Sequence, residues 1–179
     1  HWDRVAVVKY PTRRAFVEMV SSPQYAPMHE HKDAGMAKTF VIGCVPFDAP
    51  ELPPDAPDPS SVPFPSTDED GRVVVVHVLK FQSPEAYEHM ESYQSAAGSV
   101  AVPHGIRIAA WFNVEGTIVG DGRSWDQVRF NAFPSKAAFM AVALDPERLR
   151  VQKEHRESAI ADTYTMILRP VLDELAASL

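Results

Sequence analysis

The sequence contains a single cysteine, Cys44. One cysteine cannot form an intrachain disulfide, and it leaves no second thiol for a cysteine-based metal site. Cys44 lies in the apolar stretch 39–45, which is typical of a buried strand. We therefore interpret it as a core residue and expect no thiol chemistry.

The sequence also lacks an excess or a cluster of basic residues. Its 17 Lys and Arg residues are scattered among 24 Asp and Glu residues, giving a formal net charge of -7. Nucleic acids and anionic membranes attract clustered positive charge, so neither is an expected partner. No apolar run reaches the roughly 18 to 20 residues of a transmembrane helix, and no signal-peptide pattern is present, which favours a cytoplasmic location.

Recognisable catalytic motifs are missing as well. The sequence has no zinc-ligand spacing, phosphate-binding loop, nucleophile elbow or dinucleotide fingerprint. With 45% hydrophobic and 23% charged residues, it is nevertheless typical of a soluble folded protein. No cofactor is predicted from these residues.

An internal repeat is the strongest pattern that the sequence does contain. The correspondence joins residues 2–5 with 125–128, 10–11 with 133–134, 15–16 with 138–139, 30–33 with 154–157 and 39–40 with 163–164. Each copy predicts a strand (4–10 or 126–133), a helix capped by Thr12 or Ser135, a second helix and a closing strand (39–45 or 163–169).

The second copy is preceded by further predicted elements: a strand at 72–79, a helix opened by Ser83 and Pro84, and a strand at 106–114. This order is β-α-β-β-α-β, the ferredoxin-like pattern. The predicted fold class is α+β, with tandem ferredoxin-like units that pair their antiparallel sheets into a barrel.

Three segments follow from this division. Residues 1–46 form the last part of the first unit, residues 47–70 form a proline-rich acidic linker, and residues 71–179 form the complete second unit with a C-terminal helix. We expect a β-α-β segment to precede His1 in a longer protein.

Several motifs resemble those of a known bacterial family. They are the run 73–80, the Gly120-Asp121-Gly122 turn, Trp125-Asp126, Phe133-Pro134-Ser135, Asp145-Pro146-Glu147 and Thr163-Tyr164. The chain is similar in these to the family of domains of unknown function numbered 1330, in the dimeric α/β-barrel superfamily. The resemblance implies a pseudo-dimer within the chain, which could associate further into a homodimer. The superfamily includes cofactor-independent monooxygenases, isomerases, cyclases, haem-degrading enzymes and haem peroxidases, so it does not select one activity.

Strand alternation separates polar from apolar side chains in the second unit. The polar set, which we expect to line the barrel while the apolar set faces the helices, is Arg107, Trp111, Asn113, Gln127, Arg129 and Asn131. An aromatic wall with convergent polar groups is typical of a small-molecule site, and two arginines suit an anionic or carbonyl-containing ligand. Alternatively, these groups pair with acids across an interface. The first copy has Arg4, Ala6 and Val8 at the positions of Gln127, Arg129 and Asn131, so any site is expected to be lopsided.

Histidines add three further candidates. His77 interrupts an apolar strand and is the candidate catalytic acid or base. His31 and His155 recur in the repeat, and by superfamily analogy His155 could be an axial haem ligand. The charge pattern around both is also that of a solvated helix face.

Three functions remain open on this basis. The leading hypothesis is a small-molecule-binding barrel, such as a cofactor-independent oxygenase, isomerase or cyclase, in which Arg107 and Arg129 hold an oxyanion and His77 moves a proton. The second is a non-catalytic interaction or structural module. The third is a haem protein that uses His155.

Overall fold

The computed structural model describes residues 2–120 and 122–171 of the 179-residue chain. The predicted C-terminal helix lies outside these ranges. Within them, no helix combines the length and apolar character needed to cross a bilayer.

The strands of the described ranges form one antiparallel sheet in the order β1-β3-β4-β2-β5. Their bounds are Val41–Pro46 (β1), Val73–Phe81 (β2), Arg107–Val119 (β3), Gln127–Phe133 (β4) and Ile160–Leu168 (β5). β2 carries a run of valines, whose β-branched side chains favour the extended backbone, and it is paired on both sides.

The helices are Arg13–Val20 (α1), Ala26–Gly35 (α2), Ala86–Ala101 (α3), Lys136–Ala143 (α4) and Pro146–Val151 (α5). α5 continues into a π-helical turn, Gln152–Arg156, and a short helical turn, Glu157–Ala159. The predicted caps are confirmed: Thr12 and Ser135 each accept a hydrogen bond from the backbone three residues later.

β2 to β5 and the helices between them follow the predicted β-α-β-β-α-β order, so this part of the chain is an α+β ferredoxin-like unit. The strand predicted at 4–10 is wrong, because these residues have no regular secondary structure. A strand signal is local, whereas a strand forms only beside a neighbour that completes its hydrogen bonds, and no described strand pairs with 4–10. The pairing of two sheets into a barrel remains a prediction.

The two faces of the sheet are covered differently. On one face, α3 and α4 pack on two apolar clusters, one around Val73 and Val75 and the other around Leu79. On the opposite, concave face the sheet curls until Phe40, just before β1, stacks on Tyr164 of β5, with ring centroids 5.7 Å apart. Val76, Val78 and Val128 are buried there with Trp125.

The proline-rich linker 47–70 is bound to the sheet and helices along its length. Val62 is buried, Ser135 donates a hydrogen bond to the carbonyl of Phe64, and Asp70 accepts hydrogen bonds from the first two backbone amides of α4. These amide hydrogen bonds lower the pKa of Asp70. The linker thereby helps to fix the start of α4.

Candidate functional site

Six of the seven predicted site residues lie together on the helix-covered face of the sheet. The register pairs His77 with Arg129, Trp111 with Arg129, and Asn113 with Gln127, and paired residues point to the same side. The expectation that this polar set faces a barrel while the apolar set faces the helices is therefore wrong. Alternation assigns side chains to two faces but does not determine which face the helices cover.

Arg107 is the predicted residue that lies elsewhere. A bulge between Ile108 and Ala110 shifts the alternation of β3, so that Arg107 pairs with Ala132 instead of sharing the face of Arg129. Its guanidinium donates hydrogen bonds to the carbonyl oxygens of Ile106 and Pro57. The expectation that Arg107 and Arg129 share one face of the sheet is therefore wrong, because the bulge shifts the alternation.

Arg107 instead lines a cavity of about 640 Å³ between the linker and the start of β3. Pro59, Pro65 and Phe133 contribute to its wall, and both carbonyl partners of Arg107 are backbone groups. This cavity is separate from the polar set on the helix-covered face.

Arg129 is the centre of the polar set. Its residue is only 4% exposed, and its Nε and Nη2 donate to Oε1 of Gln127 over 3.0 and 2.5 Å. Its guanidinium carbon lies 4.2 Å from the centre of the Trp111 ring, a cation–π contact. Burial lowers the pKa of Arg129 to about 10, which still leaves the group protonated at neutral pH.

Neutral amides fix the residues around Arg129. Gln127 donates from Nε2 to Oδ1 of Asn113 over 3.1 Å, and Trp111 donates from Nε1 to Oδ1 of Asn131 over 3.1 Å. Gln127 therefore presents its oxygen to Arg129, and the hydrogen bond to Asn131 fixes the Trp111 ring beside the guanidinium. The result is a rigid cationic floor that contains no acid.

α3 forms the roof above this floor. Ala86 and Met90 are buried near its start and Ala101 near its end, which identifies the side that faces the sheet. Tyr87 and Tyr93 lie close enough to Arg129 to favour its charged form. Gln94 follows Met90 by one turn, and its Nε2 is buried without a hydrogen-bond partner in the described part of the chain.

A wall of two further arginines comes from α5 and the π-helical turn. Arg148 donates to the carbonyl of Ala143 and to Oε1 of Gln152. Arg156 is half-buried, and burial is the largest cause of its lowered pKa. Sequence reasoning missed Arg156 by assigning the charged run 154–157 to a solvated face. The buried residues on either side, Val151 and Ala159, are the signal that could have found it.

Positive charge accumulates in this site, where Glu157 favours the charged form of Arg156 from beyond ion-pair distance. Among the described residues, no carboxylate lies within ion-pair distance of Arg129, Arg148 or Arg156. π-Helical turns occur frequently at functional sites because they aim side chains away from the regular helical pattern. Here the turn ends at Arg156.

His77 is uncharged in this environment. The residue is half-buried, and its Nδ1 lies 3.2 Å from the hydroxyl of Thr165. Loss of hydration lowers the pKa of His77 to about 3, and the charges of Arg156, Arg129 and Arg148 act in the same direction. At neutral pH the imidazole can therefore accept a proton or a hydrogen bond.

The remaining candidates lie outside this site. His155 stacks on His89 with ring centroids 6.3 Å apart, and His31 is exposed on α2. Cys44 is half-buried on the concave face, where burial raises the pKa of its thiol to about 11. Within the described part of the chain, no three His, Cys, Asp or Glu residues are grouped to bind a metal ion. Haem binding by His155 remains a prediction.

Similar folds occur among solved structures. A protein of unknown function from Rhodopseudomonas palustris is 24% identical, with a TM-score of 0.53 over 58% of this chain and 87% of that one. A dabb family protein with a ferredoxin-like fold from Mesorhizobium loti is 9% identical, with a TM-score of 0.43 over 57% of this chain and 99% of that one. A dimeric ferredoxin-like protein of unknown function from Jannaschia sp. is 16% identical, with a TM-score of 0.44 over 56% of this chain and 100% of that one.

No family model matches the chain, and no curated protein shows significant similarity to it. At 24% identity, the likeness to the Rhodopseudomonas palustris protein supports a shared fold but no shared activity or ligand.

Proposed function

We propose that the protein binds a small anionic or carbonyl-containing molecule between the sheet and α3, with the negative group of the ligand held by Arg129 and Arg156. The observation that carries this proposal is a buried guanidinium, Arg129, with no carboxylate within ion-pair distance among the described residues. A buried charge is costly unless it is paired, so an incoming anion supplies the missing partner.

The energetic argument favours a charged ligand over a neutral one. Two opposite charges 4 Å apart gain about 4 kcal/mol at an effective dielectric constant of 20, and a guanidinium adds directional hydrogen bonds to a carboxylate. Gln127 and Trp111 offer Arg129 only a dipole and a ring face. These contacts hold the arginine in place while leaving most of its charge uncompensated.

A proton-transfer role for His77 is the enzymatic form of this proposal. With a pKa near 3, free His77 is a weak base, but an anion bound beside it would favour the imidazolium and strengthen it. Arg129 and Arg156 would then stabilise the oxyanion or enolate formed when His77 removes a proton. Such chemistry suits a cofactor-independent oxygenase, isomerase or cyclase, and Arg156 takes the place first given to Arg107.

The concave face supports a second proposal, a homodimer of the kind expected for a dimeric α/β barrel. Val74, Phe112 and Phe130 remain partly exposed on this apolar face, and none of the described helices contributes to its cluster. Two further proposals are that the chain belongs to the family numbered 1330 and that it contains two ferredoxin-like units in tandem. The motifs that resemble this family support the first, and the internal repeat supports the second. Sedimentation velocity should show a dimer that Phe130→Glu dissociates; a folded wild-type monomer at all concentrations would contradict the homodimer.

Ligand binding is tested with 3-phenylpropionate, which joins a carboxylate to an aromatic ring. Calorimetry should detect binding to the wild type, and Arg156→Gln should weaken it by about tenfold or more, equivalent to about 1.4 kcal/mol. Arg129→Met should abolish it. Arg150→Gln is the matched control, because Arg150 is exposed and pairs with Glu147 and Glu154.

The control ligand is the neutral 3-phenylpropionamide, which should not bind detectably. Affinity of Arg156→Gln and Arg129→Met equal to that of Arg150→Gln would refute the proposal, as would absence of carboxylate binding to the wild type at 10 mM. Because Arg129→Met also removes the hydrogen bonds that Arg129 donates to buried Gln127, the melting temperature of each variant is measured beside its affinity, which separates lost binding from lost folding.

A further inference from the structure

The roof of the site contains a donor that none of the described protein groups satisfies. Nε2 of Gln94 is buried and has no hydrogen-bond partner in residues 2–120 and 122–171. A buried donor left unsatisfied costs about 1 to 3 kcal/mol, so such groups in native proteins usually meet water or a ligand.

Helical geometry places Gln94 over the polar floor. Met90, one turn earlier, packs with Leu79 at one end of the sheet, and Ala101, two turns later, packs with Val73 and Val75 at the other. Gln94 therefore lies between the two apolar clusters. The residues of β2 and β4 in this interval are His77 and Arg129.

Tyr87 fixes the side of α3 on which Gln94 lies. The two residues are seven positions apart, so they share a side of the helix. Tyr87 contacts Phe47, which in turn stacks on Trp111. Gln94 therefore projects on the Trp111 side of Arg129. Tyr93, which interacts with both Arg129 and Arg156, projects on the other side.

We infer that Gln94 determines specificity by donating a hydrogen bond to a neutral oxygen of the ligand, so that the preferred ligands are hydroxy or oxo carboxylates instead of simple carboxylates. The inference rests on the proposed anion site. The arginines bind the carboxylate, and the Gln94 amide binds a hydroxyl or carbonyl oxygen attached to the same molecule. An unsubstituted carboxylate leaves the amide unsatisfied and binds more weakly.

The test compares two carboxylates that differ only by an α-hydroxyl group, 3-phenyllactate and 3-phenylpropionate. The wild type should bind 3-phenyllactate about tenfold more tightly by calorimetry. In Gln94→Met, which keeps the length of the side chain, this ratio should fall to about one while 3-phenylpropionate binding is unchanged. Arg156→Gln should weaken both ligands and keep the ratio.

Equal affinities of the wild type for the two ligands would overturn the role of Gln94 and leave the anion site standing. Binding of neither ligand would overturn both. A stability measurement gives an independent check: Gln94→Met should match or exceed the wild type in melting temperature, since it removes an unsatisfied buried donor. A clear loss of stability would mean that the amide already has a protein partner, and would also overturn the inference.

Discussion

The segment 2–46 and its counterpart 125–170 start their helices in the same way. Thr12 and Ser135 adopt nearly the same extended backbone, and each accepts a hydrogen bond over 3.0 Å from the amide three residues on. The aromatic pairs also match, with ring centroids 5.1 Å apart for Tyr10 and Phe16 and 5.4 Å for Phe133 and Phe139. Contacts between neighbours in sequence form in both copies.

The copies differ in every property that needs a distant partner. Residues 127–133 form β4 between two strands, whereas 4–10 form no strand. α4 buries Ala138 and Val142 against the core, whereas α1 has no buried residue. The comparison shows that caps and turns are encoded locally, while a strand and a buried helix face require the rest of the sheet.

The chemistry follows the same division. Arg129 lies under α3 with Trp111 and Gln127, whereas the corresponding residue of the first copy is Ala6, which is exposed. Of the two copies, only the second places its polar strand beneath helices, where removal of water strengthens electrostatic contacts. Among the described residues, the second copy thus has a cationic floor at positions where the first copy does not, and a lopsided binding site remains a prediction.

The largest expected difference in stability comes from truncating Phe139 and Phe16, which occupy equivalent positions in the two copies. Phe139→Ala removes a ring packed on the cluster of Val73, Val75 and Phe133, and should destabilise the protein by about 3 kcal/mol. Phe16→Ala removes a ring that contacts Tyr10 outside the core, and should cost less than about 1 kcal/mol. Urea unfolding of both variants measures the difference. Equal losses would mean that the first copy is packed as tightly as the second.

A change of pH is expected to have a smaller effect on stability. This effect comes from His77, which lies beside the cationic floor of the second unit. The pKa of His77 falls from an ordinary 6.5 to about 3 on folding, so the unfolded chain binds a proton that the folded chain does not. Stability is therefore lost as pH falls from 6.5 towards 3. Between pH 7 and pH 5 the wild type should lose about 2 kcal/mol more than His77→Gln, in which this proton is absent.

Urea unfolding of the wild type and His77→Gln at both pH values isolates this contribution, because the carboxylates common to the two proteins cancel in the difference. Parallel pH dependence of the two proteins would show that His77 titrates normally, and that the arginines do not act on its ring.

In the candidate site, the residue pattern predicted some side-chain placements and missed others. The clustering of Trp111, Gln127 and Arg129 on one face was predictable, because side chains alternate along a strand. The helix-covered side was not predictable, since a period of two leaves the faces equivalent. Arg107 was misplaced because a single extra residue in β3 reverses the alternation beyond it.

The sequence by itself determined the β-α-β-β-α-β order, the helix caps and the separation of polar from apolar strand positions, because these depend on residues within a few positions of one another. The tertiary structure decided that 4–10 stays outside the sheet, that the polar positions lie under α3, that Nε2 of Gln94 is buried, and that Arg156 acts on Arg129. Those outcomes depend on which surfaces meet when strands and helices distant in sequence pack together, and no local pattern encodes that choice.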